Sequence, residues 1–231
     1  MCGRASQTKK RVPVEHRFAP YINEADLEPV YNAVPSQNLP VITSEQPDKL
    51  QSLAWGIPMV INGKNDLLSN SRQDKLLLWS YYTQLLQKGQ TCLILVDGFY
   101  EWQTVQKNFK IPYRLELKDK DVFAMAGLWD KKINSKTGQE ATFFSVITLD
   151  PNELIRSLHD RMPAILPPGE EMVWLQYYSK SQNYLDQIKA FPADQMTAYT
   201  ISKKINTPGY NEPDILEPYT WPALPEQLNL F

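Results

Sequence analysis

TCLILVDGFYEW (residues 91–102), IPYRLELK (111–118), DVFAMAGLW (121–129) and ATFFSVITL (141–149) are the stretches that decide the fold. Each is a short run rich in β-branched and aromatic residues and bounded by turn formers, which is the pattern of a strand. The first runs into a turn at Asp97-Gly98. The spacers are too short for helical crossovers, so these strands are expected to lie as antiparallel neighbours. Outward from this block, DKLLLWSYYTQLLQKG (74–89) has apolar residues at helical spacing and closes on Gly89, so it reads as one amphipathic helix. Pro151-Asn152-Glu153 opens a short helix reaching about Leu158, RMPAILPP (161–168) is extended, and residues 169–178 and 181–191 read as helical. MTAYTISKKIN (196–206) is a last strand, and the proline-rich remainder from Thr207 reads as a surface tail. The expected fold class is α+β, in one domain.

Composition bounds the function. A hydrophobic fraction of 42% and a charged fraction of 22% over 231 residues are those of a soluble globular chain. No apolar run approaches the roughly 20 residues that span a bilayer, so no membrane contact is expected. The start, MCGRASQTKKRVPVEHR, lacks the apolar core of a secretory signal, which points to the cytoplasm. Only Cys2 and Cys92 occur, too few for a disulfide framework and suited to a reducing compartment. Two cysteines and two distant histidines, His16 and His159, have no metal-ligand spacing, so neither metal nor cofactor is expected. The net charge of −2 argues mildly against nucleic acid, although a small basic cleft on a neutral body would still serve.

Several residues carry chemistry. If Met1 is removed, Cys2 presents an α-amine of pKa about 7.7–8.0 beside a thiol of about 8.5, both partly reactive at neutral pH. Such a 1,2-aminothiol condenses with an aldehyde to a Schiff base and closes to a thiazolidine, which no interior cysteine can do. Alternatively, Cys2 is an incidental cysteine at a frayed terminus. In VDGFYEW (96–102), Glu101 lies between aromatics that would desolvate it and raise its pKa toward neutrality, or it is a solvent-facing strand glutamate. In LHDRMP (158–163), His159 is a general acid or base, or a helix-end histidine stabilised by the dipole. Arg161 is a phosphate fork or a surface ion pair. In SNSR (69–72), Asn70 and Arg72 would share one side of an extended segment, or belong to a turn. YNAVPSQNLPV (31–41), with Asn32 and Pro35, forms a wall against a base or merely a loop.

The order of these motifs says more than any one of them. MCGR, YNxxPxQxxPV, AWGIP (54–58), NSR, DGFYEW, PY (112–113), AGLWD (126–130), ITLDPN (147–152), HDRMPAIL (159–166) and Ser202…Asn206 follow one another along nearly the whole chain. The series resembles the SOS-response-associated peptidase (SRAP) family of abasic-site processing proteins. The resemblance implies a single SRAP-type domain over residues 1–218, with a mostly antiparallel, curved or barrel-like sheet, flanking helices and a tail at 219–231. It implies a protein that captures abasic sites in single-stranded DNA as a thiazolidine crosslink at Cys2, with lyase-type and autopeptidase-type activity. In that scheme Glu101 assists Schiff-base formation, His159 assists ring opening or β-elimination, and Asn70 sits near the terminal amine. Arg4, Arg72 and Arg161 hold phosphates, three arginines converging on one cleft, while Asn32 and Pro35 contact DNA. Departures are NSR for the family's NAR, Asp74-Lys75 for a Glu-Thr pair, and Met59-Val60 where a tryptophan is usual.

Two other readings use the same residues. A cysteine peptidase would take Cys2 as nucleophile and His159 as base. A non-covalent single-strand binding module would leave Glu101 and His159 structural. Finally, QLNLF (227–231) resembles a bacterial sliding-clamp motif, with Gln227, Leu228, Leu230 and Phe231 as anchors, or else those apolar residues fold back on their own domain. The protein is expected to be a monomer, nucleoid-associated if bacterial.

Overall fold

A computed structural model of the chain describes residues 2–9, 18, 28–61, 63–107, 109–133, 138–176 and 182–222. Among the described residues seven strands precede the first α-helix: β1 (Ala5–Gln7), β2 (Val30–Ala33), β3 (Asn38–Thr43), β4 (Gln46–Trp55), β5 (Ile57–Ile61), β6 (Lys64–Leu68) and β7 (Asn70–Arg72). After α1 (Ser80–Gln87) come β8 (Thr91–Val96), β9 (Gly98–Gln106), β10 (Phe109–Leu117), β11 (Phe123–Ile133) and β12 (Glu140–Leu149). Then follow α2 (Glu153–Arg156), β13 (Met162–Pro163), α3 (Glu171–Leu175) and β14 (Met196–Thr200).

The pairings β11–β8, β8–β3, β3–β4, β4–β12 and β12–β11 return to their starting strand, so this sheet closes on itself. Closure leaves no free edge and buries a strand on both faces. All six residues of β8 are accordingly buried. A second sheet, in the order β14-β10-β9-β1-β2, lies against it. Most pairs are antiparallel, as the short spacers required; β12 is parallel to β4 and to β7. The fold is therefore mostly sheet with few helices, consistent with the α+β class.

Asp97-Gly98 is not a hairpin turn. β8 belongs to the closed sheet and β9 to the second one, so the chain crosses between sheets there. The reason is a buried cation. Arg114, on β10, donates to Ser6 Oγ (2.6 Å), Glu116 Oε2 (3.0 Å), the Asp97 carbonyl (3.2 Å), Asp97 Oδ1 (3.3 Å) and the Tyr100 hydroxyl (3.3 Å). A Cβ on Gly98 would sit 2.7 Å from Arg114 Cζ, so a side chain there would displace the guanidinium from these partners.

The helix expected over 74–89 is shorter. Residues Gln73–Lys75 form a 3-10 turn, because the Gln73 side chain donates to the carbonyls of Leu185 (2.6 Å) and Ile188 (2.9 Å). Leu77 and Leu78 stay exposed and α1 begins only at Ser80. Its end matches the sequence pattern. Gly89 has φ 68°, with Gln90 N–H on Leu85 O and Gly89 N–H on Leu86 O, a Schellman closure. The expected last strand stops at Thr200, and Lys203–Asn206 form a 3-10 turn capped by Ser202. Nor are residues 208–222 a loose tail. Ile215 is fully buried, Asn211 Oδ1 accepts from the Tyr31 backbone (2.7 Å), and Trp221 Nε1 donates to Ile201 O (3.0 Å). The helical reading of 169–178 shrinks to α3, residues 177–181 lying outside the described residues, and that of 181–191 to a 3-10 turn at Gln182–Gln187.

Arg114→Met is the test of the buried cation. It strands the Asp97 carboxylate among groups that do not compensate it, and is expected to cost about 3–5 kcal/mol in urea unfolding. A loss below about 1 kcal/mol would show that the cation is dispensable to the fold.

Candidate active-site cleft

The site begins with the first strand. β1 is only three residues long, yet it pairs on one side with β2 and on the other with β9. Asp97 fastens it further. Ser6 Oγ donates to Asp97 Oδ1 (2.7 Å), and the Thr8 backbone N–H donates to Oδ2 (2.8 Å), joined there by the Thr8 hydroxyl. A short strand held this way does not fray as segments near a terminus ordinarily do. Cys2 is thereby fixed three residues ahead of the strand.

Cys2 is fully buried, its thiol 3.9 Å from the Arg4 carbonyl, and its own carbonyl accepts from Asn70 Nδ2 (2.9 Å). Asn70 opens β7, which is aligned by its pairing with β12. The other amide atom, Asn70 Oδ1, is buried and takes no hydrogen bond among the described residues. Burial pushes the Cys2 thiol well above the ordinary cysteine range, and the Glu101 carboxylate pushes it the same way. The partly ionised thiol expected from solution values is thus not what the folded chain holds; desolvation keeps it protonated.

Gly3 and Arg4 lie on the wall of an open cleft of about 920 Å³, together with Glu101 and His159. Glu101, on β9, is 3% exposed, and burial lifts its carboxyl to a pKa of about 7. It can therefore give or take a proton near neutrality, the behaviour its aromatic neighbours suggested. His159 follows α2, whose start is capped by Asn152 accepting from Ile155 N–H. Its Nδ1 accepts the Arg161 backbone N–H (3.0 Å) and also lies 2.7 Å from Asp160 Oδ1. Nδ1 accepts from Arg161 only without a proton and could donate to Asp160 only with one, so the two contacts exclude each other. Partial burial lowers the imidazole pKa, so the neutral ring with Nδ1 accepting and the proton on Nε2 is the state favoured at pH 7.

Of the three arginines expected to converge there, Arg4, Arg72 and Arg161, only Arg4 lines the cleft. Its Nη1 donates to Asn32 Oδ1 (2.7 Å) and to Ile205 O, and its guanidinium lies over the Trp102 ring at 5.8 Å. Asn32 is buried, spanning Arg4 and the carbonyls of Ile205 and Tyr210, so it positions the arginine. Arg161 is buried as well and donates to Asp150 Oδ1 (2.7 Å) and Thr148 O. Arg72 pairs with Asp74 (3.0 Å) and lines a separate hollow with Asn70, Lys75, Leu78, Trp79 and Tyr82. Pro35 sits in the turn after β2 and does not line the cleft. The residues that do complete it, and that sequence reasoning missed, are Lys107, Phe109, Lys110, Lys203 and Trp221, with Asn206 accepting from Trp102 Nε1 (3.1 Å). Three lysines and Arg4 give the cleft the basic character that the overall charge of −2 hides. Among the described residues no cluster of metal-ligating side chains occurs, and no helix is long and apolar enough to cross a membrane.

Comparison with known proteins places this arrangement. Residues 1–208 match the family model described as SOS response associated peptidase (SRAP). The chain is 34% identical over 232 residues to the abasic site processing protein YoqW of Bacillus subtilis, covering 94% of this chain and 99% of that one. It is 30% identical over 224 residues to the abasic site processing protein HMCES of Xenopus tropicalis, covering 82% and 66%. A crystal structure of a protein from Bacteroides thetaiotaomicron superposes with a TM-score of 0.81 at 28% identity, over 95% of this chain and all of that one.

The Glu101 environment has a measurable cost. Its folded-state pKa of about 7 lies above the unfolded value near 4.3, so the fold binds this proton more tightly than the unfolded chain does. Stability is then full below about pH 4.5 and falls as pH rises to about 7, by on the order of 3 kcal/mol. Glu101→Gln has no charge to bury and is expected to gain on the wild type by that amount between pH 4.5 and 7.5 in urea unfolding. Parallel pH trends in the two proteins would locate the strain elsewhere.

Proposed function

The chain belongs to the SOS-response-associated peptidase family, and from that premise we propose that it processes abasic sites in single-stranded DNA by linking the sugar aldehyde to Cys2. Removal of Met1 frees the α-amine that the chemistry requires. The observation that carries this reading is the seating of Cys2 at the head of a doubly paired strand, beside a buried carboxyl with a pKa of about 7. The names of the Bacillus and Xenopus relatives point to the same substrate.

The steps follow from the charge states. The abasic sugar opens to its aldehyde as its anomeric hydroxyl loses a proton to water and its ring oxygen gains one from water. Neutral His159 donates a hydrogen bond from Nε2 to that oxygen and is unchanged at the end. The Cys2 amine adds to that aldehyde and forms a carbinolamine. Protonated Glu101 gives its proton to the departing hydroxyl, water leaves, and the iminium and the Glu101 carboxylate form together. That carboxylate takes the thiol proton, Sγ adds to the iminium carbon, and the thiazolidine closes. The net reaction joins aldehyde and aminothiol with loss of one water, and Glu101 ends as it began. A thiol held protonated by burial suits this order, because it is activated only after the imine exists. A peptidase acting in trans would instead need a thiolate at the outset, and burial and Glu101 both oppose one. The buried Asn70 Oδ1, without a hydrogen bond among the described residues, is an acceptor for the freed amine.

QLNLF (227–231) lies outside the described residues. We read it as a segment that docks on a sliding clamp and brings the protein to replicating DNA; clamp capture that survives deletion of 227–231 would refute this.

Intact mass after incubation with a single-stranded oligonucleotide carrying one abasic site tests the main reading. The expected product is the sum of the two masses less one water, absent for Cys2→Ala and for protein retaining Met1. No adduct from protein that begins at Cys2 would reject the mechanism. Glu101→Gln is expected to slow adduct formation by about 100-fold or more. It should also remove the decline in wild-type rate above about pH 7, where Glu101 is no longer protonated.

A further inference from the structure

The match to the family model ends at residue 208, but the wall of the cleft does not. Trp221 lines it, thirteen positions on, and the chain that carries this ring is fastened to the end of β14. Tyr219 N–H donates to Thr200 O (2.8 Å), the Thr200 hydroxyl donates to Tyr219 O (2.7 Å), and Trp221 Nε1 donates to Ile201 O (3.0 Å). The indole is therefore oriented through its own N–H. Phe109 and Tyr219 meet it at 82° and 78°, with centroids at 5.6 and 5.4 Å, so neither ring is stacked parallel upon it. A tryptophan that served only to close the fold would be buried, whereas Trp221 is partly exposed on the cleft. Around it lie the exposed side chains of Lys107, Lys110 and Lys203.

We propose that Trp221 and these lysines form a subsite for one undamaged nucleotide of the strand that carries the lesion, its base stacked on the indole and its phosphate held by the lysines. The inference rests on reading the cleft as the site of abasic single-stranded DNA. An abasic residue offers no base of its own to bind, so affinity for the strand has to come from neighbouring nucleotides. A ring with its edge anchored and, among the described residues, no parallel ring upon it supplies a sequence-tolerant contact of the kind single strands use. The charges agree: among the described residues four cations line the cleft, and its one acidic side chain, Glu101, is half neutral at pH 7. Tyr219 and Trp221 lie beyond the residues that the family model matches.

The test compares Trp221→Ala and wild type, both starting at Cys2, on a thymidine oligonucleotide with a central abasic site and on free 2-deoxyribose. The oligonucleotide concentration giving half-maximal adduct rate is expected to rise roughly tenfold. The saturating rate and the reaction with free 2-deoxyribose stay unchanged, and Trp221→Phe recovers most of the loss. An unchanged half-saturation overturns the subsite, as does an equal loss on free 2-deoxyribose, which would make Trp221 a support of the fold. For the lysines, Lys107→Ala with Lys110→Ala is expected to flatten the salt dependence of binding, by about 0.7 in log–log slope for each phosphate that is no longer neutralised; an unaltered slope removes them from the subsite. If wild type forms no adduct with either aldehyde, it is the capture mechanism that has failed. The subsite is then judged on equilibrium binding of the undamaged oligonucleotide: roughly tenfold weaker binding by Trp221→Ala upholds it and equal affinity refutes it.

Discussion

The buried guanidinium of Arg114 is the group on which the rest of the site depends. Removing such a cation from water is costly unless each donor is met. Here Glu116, Ser6, Tyr100 and Asp97 meet them from three different strands and the crossing between β8 and β9. The same Asp97 that accepts from Arg114 also holds Ser6 and Thr8. One ion pair therefore joins the second sheet to the crossing and fastens the start of the chain to both. Without it, β1 would be three residues with a few backbone bonds, and Cys2 would have no defined position.

Two carboxylates four residues apart illustrate how environment divides labour. Asp97 stands beside a guanidinium and accepts several hydrogen bonds, so its charge is used to hold structure. For Glu101 burial outweighs the charges around it and moves its pKa to about 7, so its proton is available for chemistry. Alternation along β9 separates the intervening residues, Phe99 joining the main core and Tyr100 a smaller cluster with Ile201, Ile205 and Ile215. That smaller cluster anchors the last part of the described chain, and with it the aromatic wall of the cleft.

The basic lining of the cleft shows why overall charge is a poor guide to partners. A formal charge of −2 coexists with four cations on one concave surface. Field at a site depends on which side chains the fold gathers there and on how little water separates them.

By itself the sequence determined the elements whose signal is local. Strands at 91–149 followed from β-branched runs and turn residues, and the end of α1 from Gly89. Glu101 and His159 were singled out by their immediate neighbours, and Cys2 by the chemistry of an α-amine beside a thiol. The tertiary structure alone decided what depends on partners distant in the chain. It turned Asp97-Gly98 from a turn into a crossing between sheets, because Arg114 occupies the space a side chain at Gly98 would need. It stopped the helix short of Asp74, because Gln73 is held by carbonyls more than a hundred residues away. It separated Arg72 and Arg161 from Arg4, each drawn to nearby aspartates, and brought Lys107, Lys110, Lys203 and Trp221 into the cleft instead. None of these carries a periodic or motif signal, because burial, charge pairing and concavity are properties of the packed chain and not of any window along it.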